Sequence, residues 1–145
     1  HCLGAGLSIR LATADPRIER ALLISPAFGS LTHFDRLFND AHKAELANAG
    51  QTVRKATFIS GAFLETLQSA DLFAVAHDVS AEVVVFYGSA DQYFDRTGTE
   101  RIVSLVPHAR AVDIQGGDHN FVAPGARDAL TAAFVNEIHR LWPTQ

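Results

Sequence analysis

Residues 83–91 read Val-Val-Val-Phe-Tyr-Gly-Ser-Ala-Asp, a β-branched and aromatic run that breaks at a glycine. Such a run predicts a strand, and the polar residues after the glycine predict a loop at its end. Residues 21–24, Ala-Leu-Leu-Ile, form a second apolar run of the kind that suits a parallel strand covered on both faces. Residues 111–114 form a third short run ahead of two glycines. We therefore predict three strands.

Helical segments alternate with these strands. Residues 3–14 are mainly small and aliphatic and end at Asp15-Pro16, a pair that breaks helices. Residues 97–106 are stopped by a proline, and residues 126–142 carry apolar side chains three or four positions apart. Alternation of strand and helix is typical of an open parallel sheet with helices packed on it. The predicted fold class is α/β.

The region from residue 27 to residue 81 is longer than a plain connection in a compact α/β unit. Within it, residues 34–49 favour a helix that stops at Gly50, a plausible residue for a helix end. Residues 58–76 are rich in Phe, Leu and Ala and favour one or two short helices. We therefore predict a mainly helical insertion over 27–81.

The composition fits one globular domain, because 48% of the 145 residues are hydrophobic and 19% are charged. The net charge is -4 and there is no basic run, which argues against nucleic acid as a partner. The single cysteine rules out an internal disulfide and a metal cluster built on cysteines. We find no signal peptide and no apolar run long enough to cross a bilayer, so we expect no membrane partner and a cytoplasmic location.

Three polar features fall where an α/β sheet collects its functional groups, at the carboxyl ends of strands. Asp91 lies in the loop after the strand at 83–87, and His119 lies in the loop after the last strand. The third feature, His1-Cys2-Leu3-Gly4-Ala5, runs directly into the first helix.

This start resembles the nucleophile elbow of α/β-hydrolases, Gly-x-Ser-x-Gly, with Cys2 in the serine position and Gly4 as the second glycine. The family's first glycine would precede His1. Residues 83–91 resemble the family's strand and acid loop, and residues 117–121 resemble its histidine loop. The order of nucleophile, acid and histidine is the family's chain order. A cysteine nucleophile is similar to the dienelactone hydrolase branch, and the C-terminal part resembles feruloyl and cinnamoyl esterases.

The resemblance implies a role for each of these residues. Cys2 would be the nucleophile, His119 the base, and Asp91 the group that fixes the tautomer of His119. The backbone N–H of Leu3 would donate to the oxyanion. Gly4 would let a neighbouring strand or helix approach a strained turn.

The resemblance also bears on substrate and partners. In this family an insertion at 27–81 forms a lid over the substrate pocket, and Phe28 is the pocket candidate because it follows a strand end beside Cys2. The implied partner is a small-molecule ester or acyl substrate, and no metal or organic cofactor is implied. Because an elbow needs a strand before its nucleophile, we expect an upstream segment or a second chain to complete the sheet.

Three functions are compatible with the sequence. The leading hypothesis is hydrolysis of a carboxylic ester. The second is a hydrolase-like protein that binds a ligand without turning it over, since cysteine replaces the usual serine. The third is acyltransferase chemistry at the same three residues. In the simplest structural interpretation Cys2 is a small buried hydrophobe, Asp91 a turn residue and His119 a loop cap.

Overall fold

The computed structural model describes residues 1–27, 38–69, 71–94 and 96–143, with the side chains of 67–69 outside this description. The chain divides into two compact units. The first comprises residues 1–28 and 72–145, and the second comprises residues 29–71. The predicted insertion at 27–81 stays a prediction, although residues 72–81 lie in the first unit.

Helices and strands alternate along most of the chain. None of the described helices is long and apolar enough to cross a membrane. In chain order the elements are α1 (Cys2–Ala14), β1 (Arg20–Ile24), α2 (Asp40–Ala49), β2 (Gln51–Arg54), β3 (Thr57–Ser60), α3 (Gly61–Ser69), α4 (Leu72–Val75), a 3₁₀ turn (Ala76–Asp78), β4 (Glu82–Gly88), α5 (Arg96–Leu105), β5 (Ala109–Ile114) and α6 (Ala126–Leu141).

The first unit is built on a parallel sheet in the order β1-β4-β5. Strand β1 pairs with β4 up to Ile24 opposite Phe86, and β4 pairs with β5 up to Gly88 opposite Ile114. Because all three strands run in the same direction, their carboxyl ends meet at one edge of the sheet. The predicted α/β fold with a parallel sheet is confirmed, and β1 is an edge strand of the described sheet.

The central strand β4 is buried on both faces, which explains its unbroken apolar sequence. Val83 and Val85 point to one face and pack in a core that includes Ile9 of α1, whereas Val84 and Phe86 point to the other. On that second face helix α6 covers the sheet through side chains that include Phe134 and Leu141. The strand at 83–87 is easy to predict from the sequence because helices pack on both of its faces, so that nearly every side chain in it must be apolar.

The second unit contains an antiparallel hairpin of β2 and β3 that the sequence analysis missed. The prediction of helix from residue 58 is wrong as far as Ser60, because this segment pairs with β2. Lys55 and Ala56 form the turn with φ values of 47° and 61°. Two-residue hairpin turns of this kind normally carry Asn or Gly, so the usual sequence signal is absent.

Helix α2 begins at Asp40, later than the predicted start at residue 34. Asn39 caps it, since its side chain accepts a hydrogen bond from the backbone N–H of His42 at 2.9 Å and the His42 ring accepts from Asn39 in return. Residues 34–37 lie outside the described residues. The predicted end is confirmed, because Gly50 adopts the left-handed conformation with φ 67°.

Candidate active site

Cys2 is the first residue of α1 and adopts a left-handed conformation with φ 54°. That conformation costs a residue with a side chain about 1 kcal/mol or more, so the surrounding structure must hold it. The Cys2 carbonyl oxygen accepts a hydrogen bond from the backbone N–H of Ala27 at 3.0 Å, which ties the turn to the segment after β1. The backbone N–H of Leu3 donates to the Cys2 sulfur. The turn therefore presents the sulfur at a helix N-terminus.

The glycine that permits close approach to this turn is Gly6, and the role predicted for Gly4 is wrong. No atom of the described residues lies within 4 Å of the position that a Cβ on Gly4 would take. A Cβ on Gly6 would lie 2.8 Å from the carbonyl oxygen of Ala27 and 3.2 Å from a Leu72 methyl. Helix α1 packs against the backbone after β1 through Gly6, two residues along the chain from the glycine that the motif suggested.

Asp91 follows β4 and holds three hydrogen bonds. Its Oδ2 accepts the Nδ1–H of His119 at 2.8 Å, and its Oδ1 accepts the backbone N–H groups of Tyr93 at 2.8 Å and Phe94 at 3.0 Å. Its side chain is only 3% exposed. Burial by itself raises the pKa of this carboxyl, but the hydrogen bonds outweigh burial and hold the pKa below its ordinary value.

His119 lies between Asp91 and Cys2, with its side chain 7% exposed. Because Asp91 engages Nδ1, the nitrogen left for the hydrogen bond with the Cys2 sulfur is Nε2. Burial by itself lowers the pKa of His119, but its hydrogen bonds to Asp91 and Cys2 raise that pKa to about 9. In the same way burial raises the pKa of the Cys2 thiol, and the hydrogen bond and charge of His119 lower it below its ordinary value. Each partner therefore favours the charged form of the other, a thiolate on Cys2 and an imidazolium on His119.

The acid loop and the histidine loop are joined by a backbone hydrogen bond and by a hydrogen bond to a serine hydroxyl. The N–H of Ala90 donates to the carbonyl of Gly117 at 3.0 Å, and the N–H of Gly116 donates to the Ser89 hydroxyl at 2.8 Å. Gly88 makes this approach possible, because a Cβ there would lie 2.1 Å from the Gly117 oxygen. The main chain thus sets the position of His119 relative to Asp91.

Three aromatic side chains that the sequence analysis did not single out surround the His119 ring. Ring centroids of His1, Tyr93 and Phe94 lie 4.9, 5.2 and 5.3 Å from that of His119. The Nε2–H of His1 also donates to the backbone carbonyl of His119 at 3.0 Å. The only signal in the sequence was position, because His1 precedes Cys2 and the other two residues follow Asp91 within three positions.

The structure brings four of the five predicted site residues together: Cys2, Leu3, Asp91 and His119. The fifth, Phe28, lies outside the described residues. The arrangement places together a sulfur that could serve as a nucleophile, a group that can transfer a proton to or from it, and a backbone N–H at a helix N-terminus that can donate a hydrogen bond to a developing negative charge. Among the described parts of the chain no group of three or more His, Cys, Asp or Glu side chains is placed to hold a metal ion.

Parallel strands of this order, with a sharp turn into a helix and acid and histidine loops at the strand ends, make up part of an α/β-hydrolase fold. Solved structures agree. The monoacylglycerol lipase of Paleococcus ferrophilus superposes with a TM-score of 0.72 at 18% identity, over 95% of this chain and 65% of that one. Est1E from Butyrivibrio proteoclasticus with ferulic acid bound gives 0.70 at 15% identity, over 94% and 57%. The chain thus spans about three fifths of the structures that it matches.

One curated relative is also similar in sequence. An L-allo-isoleucyltransferase of Pseudomonas savastanoi pv. glycinea is 37% identical over 70 residues, which cover 48% of this chain and 25% of the relative. No protein-family model matches the chain. The similar solved structures establish the α/β-hydrolase fold. The activity has to be inferred from the geometry of the site.

Proposed function

We propose that the protein catalyses acyl transfer through a thioester on Cys2, with hydrolysis of a carboxylic ester as the overall reaction. The observation that carries this proposal is the hydrogen-bonded series from Asp91 through His119 to Cys2 at the carboxyl ends of the strands. Esterases and lipases among the similar folds make a small ester a reasonable substrate class.

The first half of the reaction would form the thioester. The Cys2 thiolate attacks the carbonyl carbon, and the resulting oxyanion accepts a hydrogen bond from the backbone N–H of Leu3. Collapse of this intermediate breaks the bond between the carbonyl carbon and the alcohol oxygen. The His119 imidazolium gives its proton to that oxygen, so the alcohol leaves neutral and Cys2 carries the acyl group.

The second half would release the acid. Neutral His119 takes a proton from water as the water oxygen attacks the thioester carbon. Collapse then breaks the carbon–sulfur bond and expels the Cys2 thiolate beside the His119 imidazolium. Asp91 keeps the Nδ1–H of His119 in place through both halves and stabilises the imidazolium. One ester and one water give one acid and one alcohol.

A second candidate function is transfer of the acyl group to an acceptor other than water. The relative with the highest identity quoted above is named as an L-allo-isoleucyltransferase, which favours an aminoacyl donor. In the present protein such a transfer would use the same thioester on Cys2 and differ from hydrolysis only in the group that attacks it.

Kinetics with p-nitrophenyl acetate test the proposal. We expect a burst of p-nitrophenol that matches the amount of Cys2, and an acetyl group on Cys2 by mass spectrometry after acid quench. Cys2→Ala and His119→Ala should abolish the burst, whereas His139→Ala, which removes an exposed histidine of α6, should leave it unchanged. Binding of the ester without acylation of Cys2 would leave the non-enzymatic hypothesis and contradict ours.

The acceptor decides between the two functions. A hydrolase continues to release p-nitrophenol after the burst in buffer alone. A transferase slows after the burst and resumes when 2-mercaptoethanol is added, with the acetyl thioester of that thiol as product. Loading of Cys2 from an L-allo-isoleucyl thioester in preference to an acetyl thioester would favour the aminoacyl donor.

A further inference from the structure

We propose that His1 is a positioning residue for the reaction, which fixes the loop of His119 against the turn that carries Cys2. This inference rests on the proposed function. The observation behind it is that His1 contacts the histidine loop in two ways at once. Its Nε2–H donates to the His119 carbonyl at 3.0 Å, and its ring lies 4.9 Å from the His119 ring.

Because of its location in the chain, His1 can affect the position of His119 relative to Cys2. It is the residue before the nucleophile and the N-cap of α1, yet its side chain makes no capping hydrogen bond to that helix. The described backbone hydrogen bonds of the histidine loop instead join it to the acid loop and to the end of β5. The bond from His1 is a direct connection between the backbone of the histidine loop and the turn of Cys2.

The geometry of proton transfer explains why such a connection matters. His119 must hold Nδ1 on Asp91 and Nε2 on the Cys2 sulfur at the same time. The distance from Nδ1 to Asp91 is set by the two loops at the strand ends. The distance from Nε2 to the Cys2 sulfur instead joins the histidine loop to the start of helix α1. A displacement of about 1 Å between reacting groups can cost on the order of 100-fold in rate. A hydrogen bond and a ring contact from the residue next to Cys2 reduce that displacement.

Two amide substitutions test the hydrogen bond. In His1→Gln the amide nitrogen stands as many bonds from the backbone as Nε2 does, so it can donate to the same carbonyl. In His1→Asn the amide is one bond too short. We expect the acylation burst of His1→Asn to slow by about tenfold, the contribution of one hydrogen bond, and that of His1→Gln to stay within about threefold of wild type. The dissociation constant of the ester, measured from the dependence of the burst rate on ester concentration, should not change in either variant.

A pH profile separates positioning from a general loss of structure. The rate at which iodoacetamide alkylates Cys2 should rise at higher pH in His1→Asn than in wild type, because a loosened His119 stabilises the thiolate less. His1→Phe, which keeps a ring but has no donor, should resemble His1→Asn. Melting temperatures identify any variant that fails to fold, and the comparison of Asn with Gln then decides.

The outcomes distinguish this inference from the proposed function. If Cys2→Ala abolishes the burst while His1→Asn and His1→Phe match wild type in rate and pH profile, the role of His1 is overturned and the function stands. If Cys2→Ala leaves ester turnover intact, the proposed function fails whatever the His1 variants do.

Discussion

Gly88 and Gly117 approach so closely that a methyl group on Gly88 would stand 2.1 Å from the carbonyl oxygen of Gly117. The same carbonyl accepts the N–H of Ala90 at 3.0 Å. The loops of Asp91 and His119 are therefore held together by main chain, which cannot adjust as a flexible side chain would. This contact connects the end of the central strand to the chemistry proposed for the site.

Gly88→Ala should separate the acid from the histidine. The methyl group would force the histidine loop away, and we expect a loss of about 1–3 kcal/mol in the free energy of unfolding. Ester turnover should fall by about 100-fold or more, because His119 would no longer hold its position between Asp91 and Cys2. Urea unfolding and steady-state kinetics measure the two effects. Wild-type turnover in Gly88→Ala would mean that the loops can separate without consequence for the site.

Gly6→Ala and Gly4→Ala should have opposite effects on stability, although both glycines lie in α1. A methyl group on Gly6 would meet the Ala27 carbonyl at 2.8 Å, so this variant should lose about 1–3 kcal/mol. Gly4 has open space among the described residues, so Gly4→Ala should gain up to about 1 kcal/mol from helix propensity. Thermal unfolding of the two variants side by side measures the difference, and equal effects would contradict the packing described for α1.

The sequence was sufficient to predict the parts of the fold that burial determines. The apolar run at 83–87 indicated a strand of a parallel sheet, and the loop after it and the loop after the last strand were then expected at the same edge. The helix end at Gly50 was predictable for a similar reason, since few residues adopt its conformation easily. The convergence of Asp91 with His119 followed from topology, before any side chain was placed.

The features that the sequence did not predict have weak local signals. The hairpin turn at Lys55 and Ala56 lacks the residues that usually mark it. His1, Tyr93 and Phe94 contact His119 through tertiary structure, and no spacing in the sequence indicates that. The roles of Phe28 and of the 27–81 region stay predictions.

The hairpin offers a separate test of the structure. Lys55→Asn with Ala56→Gly should stabilise the turn, because both positions have positive φ and the new residues adopt it at lower cost. We expect a gain of about 1 kcal/mol in the free energy of unfolding, measured with urea. Destabilisation by the double substitution would mean that the turn has another conformation.

The pH dependence of ester turnover should be bell-shaped. The rate should fall on the acid side as the Cys2 thiolate is protonated, at a pH below the ordinary pKa of a thiol. It should fall on the alkaline side near pH 9, where His119 loses the proton that the leaving alcohol needs. In His119→Ala, alkylation of Cys2 by iodoacetamide should shift to the pH range of a free thiol. If the alkylation rate of the wild-type protein rises in a single step centred on the pH range of a free thiol, the thiolate–imidazolium pair is contradicted.

Asp91 should stabilise the fold at neutral pH and lose that effect in acid. Its pKa is lower in the folded protein than the ordinary value of 3.8, so the folded state favours the charged carboxylate. The contribution is present above the unfolded pKa and disappears as the pH falls through the folded one. The difference in unfolding free energy between wild type and Asp91→Asn should therefore be largest at about pH 5–6, where Asp91 is ionised and His119 is protonated, and it should shrink below about pH 4 and again as the pH rises toward 9. Asp78→Asn is the matched control, because that carboxylate is 63% exposed and an exposed ion pair contributes little, so its difference should stay small throughout. A difference for Asp91→Asn that does not change with pH would mean that the carboxylate is not held in its charged form by His119 and the backbone N–H groups.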